Sequence, residues 1–94
     1  FPDTDPTWAG ADSIGLLAEA TRRVRAAGWE PGNVDASVVT DHPKLAPARQ
    51  QMQERLSAAV GAPVTVKGRP PEGLGALGRG EGVACWAVAV VTRP

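Results

Sequence analysis

Between Asp12 and Gly28 the apolar residues Leu16, Leu17, Ala20, Val24 and Ala27 recur at helical spacing, which predicts an amphipathic helix. Asp12 or Ser13 is placed to cap its start and Gly28 to end it. Arg22, Arg23 and Arg25 fall in its second half, where positive charge complements the helix dipole. The period then shortens to two. Asn33 to Thr40 reads as a strand with Val34, Ala36 and Val38 on one face and Asp35, Ser37 and Val39 on the other. Ala48, Met52, Leu56 and Ala59 restore a helical stripe over about Leu45 to Val60, and Gly61 and Pro63 close it.

Val64 to Lys67 is predicted as a short strand and Val83 to Thr92 as a last one. Gly68 to Gly82, rich in glycine with two prolines, is predicted to be a long irregular connection. The last strand is apolar on both faces: Val83, Cys85, Ala87, Ala89 and Val91 on one, Ala84, Trp86, Val88 and Val90 on the other. Both faces then need cover. Two helices suffice for one side of a small sheet, so the other is expected to meet a second subunit or an upstream segment. The order helix, strand, helix, strand, strand gives an α/β fold, a two-layer sandwich of a small mixed sheet with helices on one face.

Composition narrows the class without naming a chemistry. At 94 residues the chain is expected to be a single domain, and one this short has only a modest core unless it borrows surface. Ten basic and ten acidic residues cancel, which argues against a nucleic-acid or a membrane surface, since those partners select a clear positive excess. No window approaches the roughly 18 apolar residues of a membrane span, and no signal peptide is visible. The one cysteine, Cys85, has no partner for a disulfide within the chain and sits in an apolar run. A buried inert thiol and a reducing compartment, cytoplasmic or plastid-like, are expected. The chain begins at Phe1 rather than Met, and an upstream segment is expected.

Three stretches carry candidate chemistry, each beside a plainer reading. Phe1-Pro2-Asp3-Thr4-Asp5-Pro6 sets two carboxylates between stiffening prolines, which suits sugar hydroxyls or a cation but equally an Asx-turn before a helix. His42-Pro43-Lys44-Leu45 lies between a strand end and a helix start, where free N–H groups and a lysine favour an anion such as a diphosphate. A solvated lysine is the alternative. Gly75 to Gly82 holds Arg79 and Glu81 among glycines that allow close backbone approach to a phosphate, or that merely form a turn with a surface ion pair. His42 is the sole histidine, and no zinc site can be assembled around one imidazole.

In the same order and with similar spacing, these segments resemble the 2-C-methyl-D-erythritol 2,4-cyclodiphosphate synthase family. The resemblance rests on Phe1-Pro2-Asp3-Thr4-Asp5-Pro6 with Gly10-Ala11-Asp12-Ser13, on Gly32-Asn33-Val34-Asp35, and on Pro43-Lys44-Leu45 with Pro47 and Met52. It continues through Val66-Lys67, Leu74-Gly75, Gly78-Arg79-Gly80-Glu81-Gly82 and Ala84. It covers nearly the whole chain, as the carboxy-terminal part of the family's domain. It implies a homotrimer with active sites between subunits, converting 4-CDP-2-C-methyl-D-erythritol 2-phosphate to the cyclodiphosphate and CMP. Phe1, Pro2, Asp3, Thr4 and Asp5 would line the sugar-phosphate side, and Thr40, Pro43, Lys44, Leu45 and Ala46 the cytidine and diphosphate side. Glu72 would bind a Mg or Mn ion bridging the phosphates, acting with Lys44 in catalysis, and Arg79 would stand with Glu81 toward the trimer axis.

The pattern is departed from in places. The family's zinc ligands, an Asp-x-His pair and a further His, are expected upstream and are absent from these residues. Gly68-Arg69-Pro70-Pro71 replaces a threonine-rich run, with Pro70 where a threonine assists the transition state and Arg69 adding charge near the phosphates. Ala76 replaces an aromatic residue. A non-catalytic nucleotide-binding relative, or a structural fragment of the fold, therefore stands as the alternative.

Overall fold

The computed structural model describes residues 1–94. Helix α1 spans Ser13–Ala26, strand β1 Glu30–Val39, helix α2 Arg49–Val60, strand β2 Val64–Arg69, the single-turn helix α3 Gly75–Gly78, and strand β3 Ala84–Thr92. Short 3-10 turns at Pro6–Trp8 and Ala46–Ala48 precede the two long helices. The sheet order is β2-β1-β3, with β2 parallel and β3 antiparallel to β1. The expected small mixed sheet is therefore present.

Local chemistry explains the ends of α1. The Asp12 carboxylate accepts the Gly15 N–H at 3.1 Å, an N-cap contribution of about 1 kcal/mol. At the other end Gly28 turns left-handed with φ 93°. The Gly28 N–H then reaches the Arg25 carbonyl and the Trp29 N–H the Val24 carbonyl, the paired Schellman closure that a glycine makes inexpensive. Helix α2 also ends at a left-handed glycine, Gly61 with φ 72°, but by the simpler single closure in which the Gly61 N–H donates to the Ser57 carbonyl at 2.7 Å.

Alternation assigns the faces of the sheet. Val64 and Val66 are almost fully buried while Thr65 and Lys67 are exposed. Helices α1 and α2 pack on each other, α1 against β1 and α2 against β2. Register puts Val34, Ala36 and Val38 beside Val64, Val66 and Gly68 on that helix-covered face. On the open face the Asp35 carboxylate accepts Thr65 Oγ1 at 3.0 Å and Lys67 Nζ at 2.7 Å.

The core is small. Its fully buried apolar members are Val60, Val64 and Val66, and the accessible surface of 6487 Å² exceeds the roughly 5,100 Å² of a compact monomer of this mass. Strand β3 contributes to that surface, since the helices pack mainly on each other and on β1 and β2. Trp86, Val88 and Val90 are 63, 69 and 51% exposed on its open face. Cys85 is exposed too, against expectation. The apolar run around it suggested burial, and register does put it opposite Val38 on the helix side, but the helices pack over β1 and β2.

Element boundaries also differ from expectation. Strand β1 starts at Glu30, ahead of Asn33, because β3 continues far enough to pair Glu30 with Thr92 across a bulge at Pro31/Asn33. Strand β2 runs on to Arg69 because β1 still offers partners in Val38 and Val39. The α-helical part of α2 starts at Arg49, after the 3-10 turn that holds Pro47. One turn of helix, α3, interrupts the otherwise irregular glycine-rich connection. No helix is long and apolar enough to cross a membrane.

Candidate functional site

Because β1 and β2 are parallel, their carboxyl ends lie side by side, the position at which open α/β sheets tend to bind ligands. The two strands are tied one residue beyond their last register pair, where the Thr40 N–H donates to the Arg69 carbonyl at 3.2 Å. From this tie the chain turns away on both sides. A cavity of about 190 Å³ opens between the two turns.

Its lining gathers several of the residues singled out in the sequence. Thr40, Pro43, Lys44, Leu45, Ala46 and Arg69, all named from sequence, converge there. Arg49, Gly68 and Pro70 complete the wall. Thr40 is buried at 8% exposure, and its hydroxyl donates to the His42 carbonyl at 2.6 Å, so it shapes the loop that carries Lys44. His42 points outward, its side chain 79% exposed and 3.5 Å from the Asp41 carboxylate.

No carboxylate lines the cavity, while Lys44, Arg49 and Arg69 all do, and none of the three has an ion-pair partner. A pocket walled by cations, with apolar surface from Leu45, Ala46 and the prolines, fits an anionic group attached to a flat apolar body. The sequence reading missed Arg49. The available signal was a cation opening a helix only five positions after Lys44, across a turn that brings the two together.

The other candidate residues stand apart from this cavity. Phe1 packs edge-on against Trp8, ring centroids 4.7 Å apart, with the Arg23 guanidinium 4.8 Å from the Phe1 ring. Asp5 accepts the Thr7 N–H at 2.9 Å, and that hydrogen bond holds its carboxyl below the usual range. This is the plainer Asx-turn reading. Pro2 accepts the Asp5 N–H at 3.1 Å, and Asp3 and Thr4 are exposed. None of Phe1 to Asp5 lines the cavity. Arg79 is paired with Glu81 at the surface, an arrangement common to both readings of that loop.

Glu72 is exposed in the loop after Pro71, held with φ 57°. A non-glycine residue in that left-handed region is strained by about 1–2 kcal/mol. No three His, Cys, Asp or Glu side chains lie close enough to hold a metal. Zinc, which takes three or four protein ligands, does not fit these residues. Magnesium is different, because it commonly takes one or two carboxylates plus substrate phosphates, and Glu72 is a carboxylate of that kind.

Fold and cavity together define an α/β protein with a cation-lined pocket at the carboxyl ends of two parallel strands. A model of the YgbB family matches residues 1–92, and the chain belongs to that family. It is similar to the 2-C-methyl-D-erythritol 2,4-cyclodiphosphate synthase of Cupriavidus metallidurans, at 51% identity over 99% of this chain and 57% of that protein. Among solved structures it is similar to the bifunctional IspDF from Campylobacter jejuni, with TM-score 0.87 and 35% identity over 97% of this chain and 25% of that one. It is also similar to a 2C-methyl-D-erythritol-2,4-cyclodiphosphate synthase solved in its CDP-bound form, with TM-score 0.86 and 33% identity over 98% of this chain and 61% of that one. The chain thus spans between a quarter and about three fifths of the length of these relatives.

Proposed function

We propose that these residues form the carboxy-terminal, nucleotide-binding portion of a 2-C-methyl-D-erythritol 2,4-cyclodiphosphate synthase. The observation that carries this reading is the convergence of Thr40, Pro43, Lys44, Leu45, Ala46 and Arg69 on one cation-walled cavity. In the reaction an oxygen of the sugar's 2-phosphate attacks the β-phosphorus of the CDP group, the bond from that phosphorus to the bridging oxygen breaks, and CMP leaves. Such a transfer needs positioning and charge neutralisation above all. Lys44 and Arg69 are placed to neutralise the diphosphate. Leu45 and Ala46 offer the base an apolar wall.

Glu72 would hold a Mg or Mn ion together with phosphate oxygens, and that ion would supply further charge neutralisation when bound. Zinc, for which this chain assembles no site, belongs in this reading to ligands outside these residues. The apolar face of Trp86, Val88 and Val90 supports a homotrimer in which Phe1 to Asp5 of one subunit meet the cavity of the next. That arrangement brings the sugar end of the substrate to the entry loop.

Pro70 favours a second reading. It lines the cavity yet offers neither hydroxyl nor N–H where the family uses a threonine, so a relative that binds the nucleotide without turning over is the competitor. The test is CMP release from 4-CDP-2-C-methyl-D-erythritol 2-phosphate by the intact protein with zinc and magnesium, beside calorimetric titration with CDP. Turnover that Lys44→Ala reduces supports the enzyme, CDP binding without turnover supports the competitor, and absence of both overturns the nucleotide reading.

A further inference from the structure

The cations of this chain are distributed unevenly between paired and unpaired states. Of its ten Lys and Arg side chains, Arg22, Arg23, Arg25, Lys67 and Arg79 are in ion pairs, and Arg93 lies over the Trp29 ring at 4.4 Å. Lys44, Arg49, Arg55 and Arg69 remain. Three of those four line the same cavity, while Arg55 lines a separate groove beside Ile14 and Met52.

Unpaired surface cations are ordinarily just solvated, and one alone would mean nothing. Three around about 190 Å³ with no carboxylate among them repel one another, and an anion relieves that repulsion. Arg49 adds a cost of its own. It is the first residue of α2, the end of a helix where positive charge opposes the dipole. Its guanidinium presents paired donors matched to phosphate oxygens, which a lysine does not.

We infer that Arg49 is a diphosphate-binding residue of this cavity, acting with Lys44 and Arg69 on the phosphates while Leu45 and Ala46 face the base. The inference rests on the reading that the cavity takes a nucleotide diphosphate, but it makes its own claim about which side chain reads the charge. It also gives the pocket a means of discrimination: a substrate bearing two linked phosphates engages all three cations, and the CMP product, with one, engages fewer.

The experiment titrates the intact protein with CDP, CMP and inorganic pyrophosphate by calorimetry, as wild type, Arg49→Ala, Arg49→Lys and Arg55→Ala. Loss of one charge-assisted contact is expected to weaken CDP and pyrophosphate about tenfold or more in Arg49→Ala. CMP should weaken less, Arg49→Lys should recover part of the loss, and Arg55→Ala should match wild type. Wild type that binds pyrophosphate through Arg49 but not CDP would keep Arg49 as a diphosphate contact and overturn the nucleotide reading with the base placement. Arg49→Ala with unchanged CDP and pyrophosphate affinity, or wild type that binds neither probe, overturns the inference.

Discussion

Leu45 lies over Gly68 so closely that a Cβ on Gly68 would stand 3.2 Å from the Leu45 Cβ and 3.3 Å from its Cδ1. The contact joins the loop after β1 to the end of β2 and sets one wall of the cavity. Glycine here is favoured by proximity rather than by backbone angle, since any Cβ would oblige Leu45 to give way by a few tenths of an ångström. Gly68→Val is expected to force Leu45 outward, cost about 1–3 kcal/mol by overpacking, and narrow the cavity. Chemical denaturation checks the first effect and CDP titration the second. Unchanged affinity in a stably folded Gly68→Val protein would mean that Leu45 does not shape the proposed nucleotide site.

Gly61 combines two constraints that Gly10 separates. Both are left-handed, at φ 72° and 68°. A Cβ at Gly10 meets nothing within 4 Å, whereas one at Gly61 would stand 2.7 Å from Arg25 Nη2. That same Arg25 nitrogen donates to the Val60 carbonyl at 2.8 Å and to Glu30 at 2.9 Å, joining the ends of α1, α2 and the start of β1. Gly10→Ala should therefore cost about 1–2 kcal/mol from backbone strain alone. Gly61→Ala should cost measurably more, read as a lower denaturation midpoint at unchanged slope.

The cavity was legible because its signals are local. A proline and lysine between a strand end and a helix start mark a turn with exposed donors, and Lys44 needs no tertiary knowledge to be suspected. Thr40, Ala46 and Arg69 entered only through the family resemblance. Arg49 needed the three-dimensional path of the Ala46–Ala48 turn before its proximity to Lys44 meant anything. Cys85 failed for the opposite reason, since a period-two pattern states which residues share a face but not whether a helix extends over that strand. The early start of β1, ahead of the expected Asn33, was equally hidden, because it depends on the pairing of Glu30 and Pro31 with Thr92 and Val91 of β3.

Pro70 and Glu72 allow the enzyme reading to be probed from two sides. Glu72→Gln keeps the side-chain shape and removes the charge, so magnesium-dependent CMP release should fall about 100-fold while CDP affinity without magnesium stays the same. Glu72→Gly should lose the same activity but gain about 1 kcal/mol of stability from relief of the left-handed φ. Pro70→Thr supplies a hydroxyl and an N–H at the cavity wall and is expected to raise turnover about tenfold or more. No change in Pro70→Thr would show that the family's threonine role has been taken over by another group here.

Glu19 provides the pH-dependent case. Its carboxylate accepts Arg22 Nη2 at 2.6 Å and Arg23 Nε at 3.2 Å. Hydrogen bonding from Arg22 above all, then from Arg23, holds its pKa down to about 2 from an ordinary 4.5. A carboxyl whose folded pKa is depressed binds fewer protons folded than unfolded, so its contribution is complete above pH 4.5 and is lost as pH falls toward 2. Glu19 is half-buried but both arginines are exposed, which keeps the effect modest through screening by solvent and salt. Arg22→Ala should therefore melt slightly below wild type at pH 7, with the gap closing between pH 4.5 and 2 and shrinking at high salt. A gap that persists unchanged at pH 2 would assign the effect of Arg22 to packing along α1 rather than to its pairing with Glu19.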